Sequence, residues 1–132
     1  MNIQTRNMTK EFVVLNPDKD ASVEPADATL YQRLGENYQD FKGHELIAAH
    51  VFESDWVTWE MHPHGDEIVT LISGEITFKL KLADGEQSVT LSEAGAYVIV
   101  PKGVWHTANT SVKSHVLFIT PGQGTQHSDA PE

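Results

Sequence analysis

The stretch Trp59–Gly74, WEMHPHGDEIVTLISG, decides the fold of this chain and carries most of its candidate chemistry. His62 and His64 are two positions apart, so an extended backbone places both imidazoles on one face. Glu67 follows a Gly-Asp break and begins an apolar, strand-like run that ends at a Ser-Gly turn signal. Two imidazoles and a carboxylate therefore lie near one strand pair, and His106, in VPKGVWHTAN, is the candidate fourth ligand.

Strand signals dominate the rest of the chain. Residues 75–82 alternate between apolar and polar side chains, which predicts a strand with one buried and one solvated face, and Asp84-Gly85 is a hairpin signal. One short helix is predicted where Leu30, Leu34 and Tyr38 recur at four-residue spacing. We expect this helix to pack over the end of a barrel, and a substrate lid is the alternative. Seven or eight short strands favour a sandwich or jelly roll over βαβ units.

The central stretch resembles the first sequence motif of the cupin superfamily. That motif reads Gly, five residues, His-x-His, three or four residues, Glu, six residues, Gly. Here His62-x-His64 is present and six residues separate Glu67 from Gly74. Only two residues separate His64 from Glu67, and Asp-Trp-Val at residues 55–57 occupies the region of the leading glycine.

A second stretch resembles the second cupin motif, which reads Gly, five residues, Pro-x-Gly, two residues, His, three residues, Asn. Gly95, Pro101, Gly103 and His106 match it, and Asn109 comes one residue early. The resemblance covers Leu46 to Thr120. It implies an all-β double-stranded β-helix, or jelly-roll barrel, over residues 46–121. Residues 1–45 would then form an N-terminal arm with a strand and the short helix packing on the barrel, and residues 122–132 a loose C-terminal tail.

Composition limits the classes of partner. The net charge of −10 and the pI near 5.0 disfavour nucleic acid, because a phosphate-backbone binder needs a positive surface. The chain has no cysteine, so disulfides and thiolate metal sites are excluded. The N-terminus has no apolar run typical of a signal peptide, and no stretch approaches the roughly 20 apolar residues of a membrane span. We therefore expect a soluble cytoplasmic protein.

Three imidazoles and one carboxylate form a mixed nitrogen and oxygen donor set. The resemblance implies that His62, His64, Glu67 and His106 bind one divalent metal. Such a donor set suits iron, manganese, nickel, zinc or copper and disfavours calcium and magnesium. The shortened spacing after His64 leaves an alternative, in which that ring swings away and His62, Glu67 and His106 form a two-His, one-carboxylate site.

Glu60 is the candidate catalytic residue. It shares strand parity with His62, so an unbroken strand aims it at the same cavity, where it would serve as a general base or orient a ligand imidazole. An outward-facing, solvated Glu60 is the alternative. The remaining histidines lack motif neighbours and are interpreted as structural: His44, His50, His115 and His127.

The resemblance implies a metal-dependent protein that binds a small organic molecule, since fold alone does not settle function. The leading hypothesis is a dioxygenase-like oxidoreductase. The alternatives are a non-catalytic ligand- or metal-sensing domain and a metal-dependent isomerase. A homodimer is also expected, with Phe12–Leu15 as a candidate strand for exchange between subunits.

Overall fold

The computed structural model describes residues 3–131 and is built almost entirely of strands. In chain order, the elements are β1 (Glu11–Leu15), β2 (Ala21–Pro25), helix α1 (Leu30–Asn37), a 3₁₀ turn (Gln39–Phe41), β3 (Glu45–Phe52), β4 (Trp59–Met61), β5 (Glu67–Ser73), β6 (Ile76–Leu82), β7 (Gly85–Leu91), β8 (Tyr97–Val100), β9 (Trp105–Asn109), β10 (Ser114–Thr120) and β11 (Gln126–Ser128).

The strands form two antiparallel sheets. The first has the order β2-β1-β3-β10-β5-β8, and the second has the order β11-β4-β9-β6-β7. Neighbours in each sheet are often distant in sequence, as in the pairing of β10 with both β3 and β5. This architecture confirms the predicted all-β jelly roll with one short N-terminal helix.

Alternating side chains place the main core between the two sheets. On β6, the residues Ile76, Phe78 and Leu80 are buried, as the sequence alternation predicts. On β5 the same period buries Glu67 together with Val69 and Leu71. The register of β5 therefore puts a carboxylate at a core position, where it needs partners.

A second core lies under the N-terminal segment. Leu30 and Leu34 of α1 are buried against Phe12 and Val14 of β1. The helix is therefore packed on the first sheet, and its predicted place over the end of a barrel, or as a substrate lid, stays a prediction. However, β1 pairs with β2 on one side and with β3 on the other. The predicted exchange of Phe12–Leu15 between subunits requires an exposed strand edge, and β1 lacks one because both of its edges are hydrogen-bonded, to β2 and to β3.

The C-terminal segment is also more ordered than the sequence indicates. Strand β11 pairs antiparallel with β4, opposite residues 59–61. The C-terminal residues are therefore not a loose tail from Gln123, because residues 126–128 hydrogen-bond to the edge of β4. The division into arm, barrel and tail stays a prediction. In the part of the chain described, no helix has the length and apolar character to cross a membrane.

Strand β8 differs from its expected environment. The apolar run of residues 96–100 predicts a strand covered on both faces, but β8 has one exposed face and lies at the edge of the first sheet. Tyr97 and Ile99 are 63% and 50% exposed, whereas Val100 is buried. Only one face of this strand meets the core.

Candidate metal centre

His62 follows the last residue of β4 and is buried. Its Nδ1 atom lies 2.8 Å from the hydroxyl oxygen of Thr125, and that hydroxyl donates its single proton to the Gly122 carbonyl oxygen at 3.0 Å. The Thr125 oxygen must therefore accept the hydrogen bond from His62 Nδ1–H. In the neutral ring this leaves a free lone pair on Nε2, the state of a metal ligand.

His106 lies in β9 and is fully buried. Its Nδ1 atom is 3.3 Å from the backbone carbonyl oxygen of Val104, which can only accept a hydrogen bond. This longer contact places the proton of the neutral ring on Nδ1, as in His62. Both imidazoles thus present Nε2 to the interior, and their ring centroids are 5.3 Å apart.

Glu67, at the start of β5, faces both imidazoles. Its Oε1 lies 3.2 Å from His106 Nε2, and its Oε2 lies 3.3 Å from His62 Nε2. Oε2 also accepts a hydrogen bond of 2.6 Å from the Thr120 hydroxyl. Neither imidazole contact has hydrogen-bond alignment, so both Nε2 atoms and Glu67 Oε1 are buried without a hydrogen-bond partner.

Three unpartnered polar atoms on three neighbouring side chains fit a bound cation. Buried polar atoms are otherwise almost always hydrogen-bonded, so three together need an explanation. Two ligand atoms that each lie about 2.1 Å from a metal are separated by roughly 3.0 to 3.4 Å, depending on the coordination angle. Glu67 Oε1 and His106 Nε2 are 3.2 Å apart, and Glu67 Oε2 and His62 Nε2 are 3.3 Å apart, so each of these two pairs falls in this range. The residues present therefore fit a divalent transition ion.

The imidazoles of the cluster keep the Glu67 carboxylate ionised, as a carboxylate ligand of a metal must be. Burial alone would raise the pKa of Glu67, but the imidazoles of His106 and His62 outweigh it and lower that pKa to about 2. Burial likewise lowers the pKa of His106, and the Glu67 carboxylate outweighs that effect, so the net shift is upward. Glu67 is therefore an anion at neutral pH.

Glu60 approaches the cluster from the more open side. Its Oε2 lies 3.9 Å from His62 Nε2 and 4.0 Å from His106 Nε2, and its side chain is 29% exposed. One oxygen of Glu60 and one nitrogen of each imidazole all lie within 4.8 Å of one another. The other oxygen, Oε1, is 3.2 Å from Nε2 of His127, which lies opposite Glu60 on β11.

His64 is not part of this cluster. Strand β4 ends at Met61, and the chain turns through residues 63–65, so the extended backbone that would align His62 with His64 is absent. His64 is exposed on that turn, next to Gly124. With only two residues before Glu67 starts β5, the chain has no room to bring this ring back inside. The structure thus brings His62, Glu67 and His106 together and leaves His64 outside, and which carboxylate would bind a metal stays a prediction.

A cavity of about 1110 Å³ opens beside the cluster, between the two sheets. Its walls include His50 and His127, which are interpreted from the sequence as structural, and Thr120 and Thr125, which the sequence does not single out. His50 has a sequence signal, because it shares strand parity with Leu46, Ala48 and Phe52 on β3. Thr125 and His127 have none, because strand β11 brings them to the cluster only through tertiary pairing with β4.

Comparisons with known proteins identify the fold. No family model and no curated protein matches the chain. Among solved structures, oxalate oxidase in complex with glycolate superposes with a TM-score of 0.53 at 16% identity, over 62% of this chain and 45% of that one. Hydroquinone 1,2-dioxygenase from Sphingomonas sp. TTNP3 superposes with a TM-score of 0.50 at 19% identity, over 58% of each chain.

A cupin-2 domain protein from Shewanella frigidimarina has a TM-score of 0.48 at 26% identity, over 58% of this chain and 70% of that one. The chain thus spans less than half of the oxalate oxidase and somewhat more than half of the dioxygenase. Identities this low relate the proteins by fold alone. The two antiparallel sheets and the superpositions on oxalate oxidase and on the dioxygenase show that the chain shares their fold, the cupin-like jelly roll that the sequence predicts.

Proposed function

We propose that this chain binds one divalent transition ion through His62, Glu67 and His106, and acts on a small organic molecule in the adjoining cavity. The observation that supports this most directly is the set of three buried, unpartnered polar atoms. The two imidazole nitrogens and the carboxylate oxygen match iron, manganese, nickel, zinc or copper better than calcium or magnesium. His64, on the exposed turn, has no part in the proposed ligand set.

The surrounding residues hold the three ligands in place. Thr125 orients the ring of His62, and the Val104 carbonyl orients that of His106. Thr120 orients the Glu67 carboxylate through its hydroxyl. When bound, the ion would supply Lewis acidity or, if it is redox-active, electrons for oxygen chemistry.

Glu60 is the proposed proton carrier. It is more exposed than the three proposed ligands, its Oε2 lies farther from the imidazole nitrogens than Glu67 does, and it borders the cavity. A carboxylate in this position can take a proton from a bound molecule or return one. His127, which is 57% exposed and contacts Glu60 Oε1, connects the carboxylate to solvent.

The reaction class we propose is that of a dioxygenase-like oxidoreductase. A two-His, one-carboxylate donor set is typical of non-haem iron oxygenases, and this supports the proposal. Oxygen uptake by the metal-loaded protein with a panel of diketones, phenols and thiols is the test. Metal binding without oxygen consumption would instead favour a non-catalytic binding protein or an isomerase.

Elemental analysis of the purified protein tests the metal proposal. We expect about one equivalent of a transition metal in the wild type and none in His106→Ala. His115→Ala is the matched control, because His115 lies on β10 at an outward position and should retain the metal. Glu60→Gln should also retain the metal but lose activity. Stoichiometric metal in His106→Ala would contradict the ligand assignment.

We also propose a homodimer that forms through β8. The apolar strip of Ile68 and Ile72 on β5 and Tyr97 and Ile99 on β8 is exposed, and Ile68 lies directly opposite Ile99. One edge of β8 pairs with β5, and no described strand pairs with the other. Two copies related by a twofold axis would pair these free edges and cover the strip.

A further inference from the structure

The walls of the cavity beside the cluster are aromatic. Phe52, Trp56 and Phe118 are mutually packed, with ring centroids between 5.6 and 6.1 Å apart. Leu46 and Ala48 continue this surface along β3. Such a surface gains most by covering a flat apolar ring, because aromatic contacts add to the burial of apolar area.

The cavity offers no positive side chain to an anion. Among residues 3–131, none of the residues that line it is a lysine or an arginine. The charged groups that do line it are carboxylates: Glu60 and Glu67 at the cluster, and the exposed Asp40, Glu53 and Asp55 at the rim. In the metal-free protein, an anionic ligand would therefore lose its water and meet like charges, which opposes its binding.

A cationic ligand is not favoured either. The two interior carboxylates already face the imidazoles of His62 and His106. The three rim carboxylates are exposed, where an ion pair contributes little. An ammonium group would therefore have to compete with the imidazoles of His62 and His106 for Glu60 and Glu67.

His50 supplies an uncharged polar group in this aromatic surface. Its ring packs against Phe12 at 5.0 Å, Phe118 at 5.6 Å and Phe52 at 5.9 Å between centroids. Neither ring nitrogen hydrogen-bonds to another residue within the described part of the chain. Burial lowers the pKa of His50, and the charge of Glu60 offsets this only in part. The neutral ring offers one donor and one acceptor.

We infer that the cavity binds an uncharged aromatic molecule with a hydroxyl group, its ring on Phe52, Trp56 and Phe118 and its hydroxyl hydrogen-bonded to His50. This inference rests on the proposed function in that it takes the cavity beside the cluster as the ligand site. The class of ligand follows from the cavity walls and not from the proposed metal ligands.

Calorimetric titration of the metal-free protein tests the charge requirement, with three ligands that share one ring system. These are 2-naphthalenemethanol, 2-naphthoate and 2-naphthylmethylamine, which are neutral, anionic and cationic at pH 7. We expect the alcohol to bind at least tenfold more tightly than either charged analogue. Equal or tighter binding of the acid or the amine, or no binding of the alcohol, would overturn the inference.

His50→Phe tests the hydrogen bond, because it keeps the aromatic volume and removes both nitrogens. We expect it to weaken 2-naphthalenemethanol binding about fivefold and to leave 2-methylnaphthalene within twofold of wild type. His115→Phe, on the outward face of β10, should change neither affinity. An unchanged alcohol affinity in His50→Phe, or an equal loss for both ligands, would refute the role of His50. Because no metal is present, a failure here is independent of the elemental analysis.

Discussion

At the scale of single residues, the imidazoles of the cluster depend on groups that fix their tautomers. His62 is held by Thr125, which lies 63 positions away in the chain, whereas His106 is held by a carbonyl two positions away. The bond to Thr125 is also the shorter of the two, at 2.8 Å against 3.3 Å. Of the two groups that orient the imidazoles, Thr125 is therefore the one on which metal affinity should depend more.

Replacing Thr125 by valine tests this dependence. Thr125→Val keeps the shape of the side chain and removes the acceptor for His62 Nδ1–H. We expect the affinity for Zn²⁺, measured by calorimetric titration, to fall about 10- to 100-fold. Thr90→Val, on the exposed face of β7, is the control and should bind Zn²⁺ as the wild type does. An unchanged affinity in Thr125→Val would show that His62 needs no such support.

At the scale of elements, the turn between β5 and β6 depends on Gly74. Its φ of +95° is in the left-handed region, and a Cβ there would lie 2.5 Å from the Lys113 carbonyl oxygen. Gly35, inside α1, is the opposite case, because nothing lies within 4 Å of the position of its Cβ. Replacement by alanine is thus predicted to change the free energy of unfolding in opposite directions at the two glycines.

Thermal denaturation of the two variants measures this difference. We expect Gly74→Ala to lower the free energy of unfolding by about 1–3 kcal/mol through backbone strain, with the close contact adding to it. Gly35→Ala should raise it by about 0.5–1 kcal/mol, since alanine is the better helix residue. Stability of Gly74→Ala equal to wild type would mean that the turn relaxes freely.

A polar contact ties α1 to β2. Glu24 accepts hydrogen bonds from the Tyr38 hydroxyl at 2.7 Å and from Arg33 Nε at 2.9 Å. The bond from Tyr38, followed by that from Arg33, lowers the pKa of Glu24 below its ordinary value of 4.5. A carboxyl whose pKa is lower in the folded state stabilises the fold above its unfolded pKa. This stabilisation is lost as the pH falls through the folded value.

Glu24→Gln should therefore have a pH-dependent effect on stability. At pH 7 we expect it to cost about 1–3 kcal/mol of unfolding free energy, because charged hydrogen bonds are replaced by neutral ones. In urea denaturation the difference from wild type should shrink as the pH is lowered below 4.5 towards 3. Glu36→Gln, on the exposed face of α1, serves as the control. A difference that stays constant across this range would contradict the assigned ionic contribution.

At the scale of the whole molecule, the proposed dimer concerns the free edge of the six-stranded sheet. Ile99→Lys would place a charge in the apolar strip of β5 and β8. We expect sedimentation velocity to show a dimer for the wild type and a monomer for this variant. Val112→Lys, which is exposed on the turn between β9 and β10, should remain dimeric. A wild type that stays monomeric at high concentration would rule out the proposed interface.

The sequence by itself determined the features that depend on short-range patterns of residues. Period-two alternation identified the strands and their buried faces, as in β6, because side-chain direction in a strand depends only on parity. The sequence also singled out His62, Glu67 and His106, which the structure brings together. The alternation of side chains along β3 likewise places His50 on the same face as Leu46 and Ala48, which line the cavity.

The tertiary structure alone decided which of the predicted groups converge. It ended β4 at Met61, so His64 lies on an exposed turn, and it paired β1 on both edges, so Phe12–Leu15 is not free. It also brought β11 against β4 and with it Thr125 and His127. Contacts between residues more than 60 positions apart depend on which strands pair, and the hydrogen bonds of such pairing are made by the backbone, which is alike in every residue.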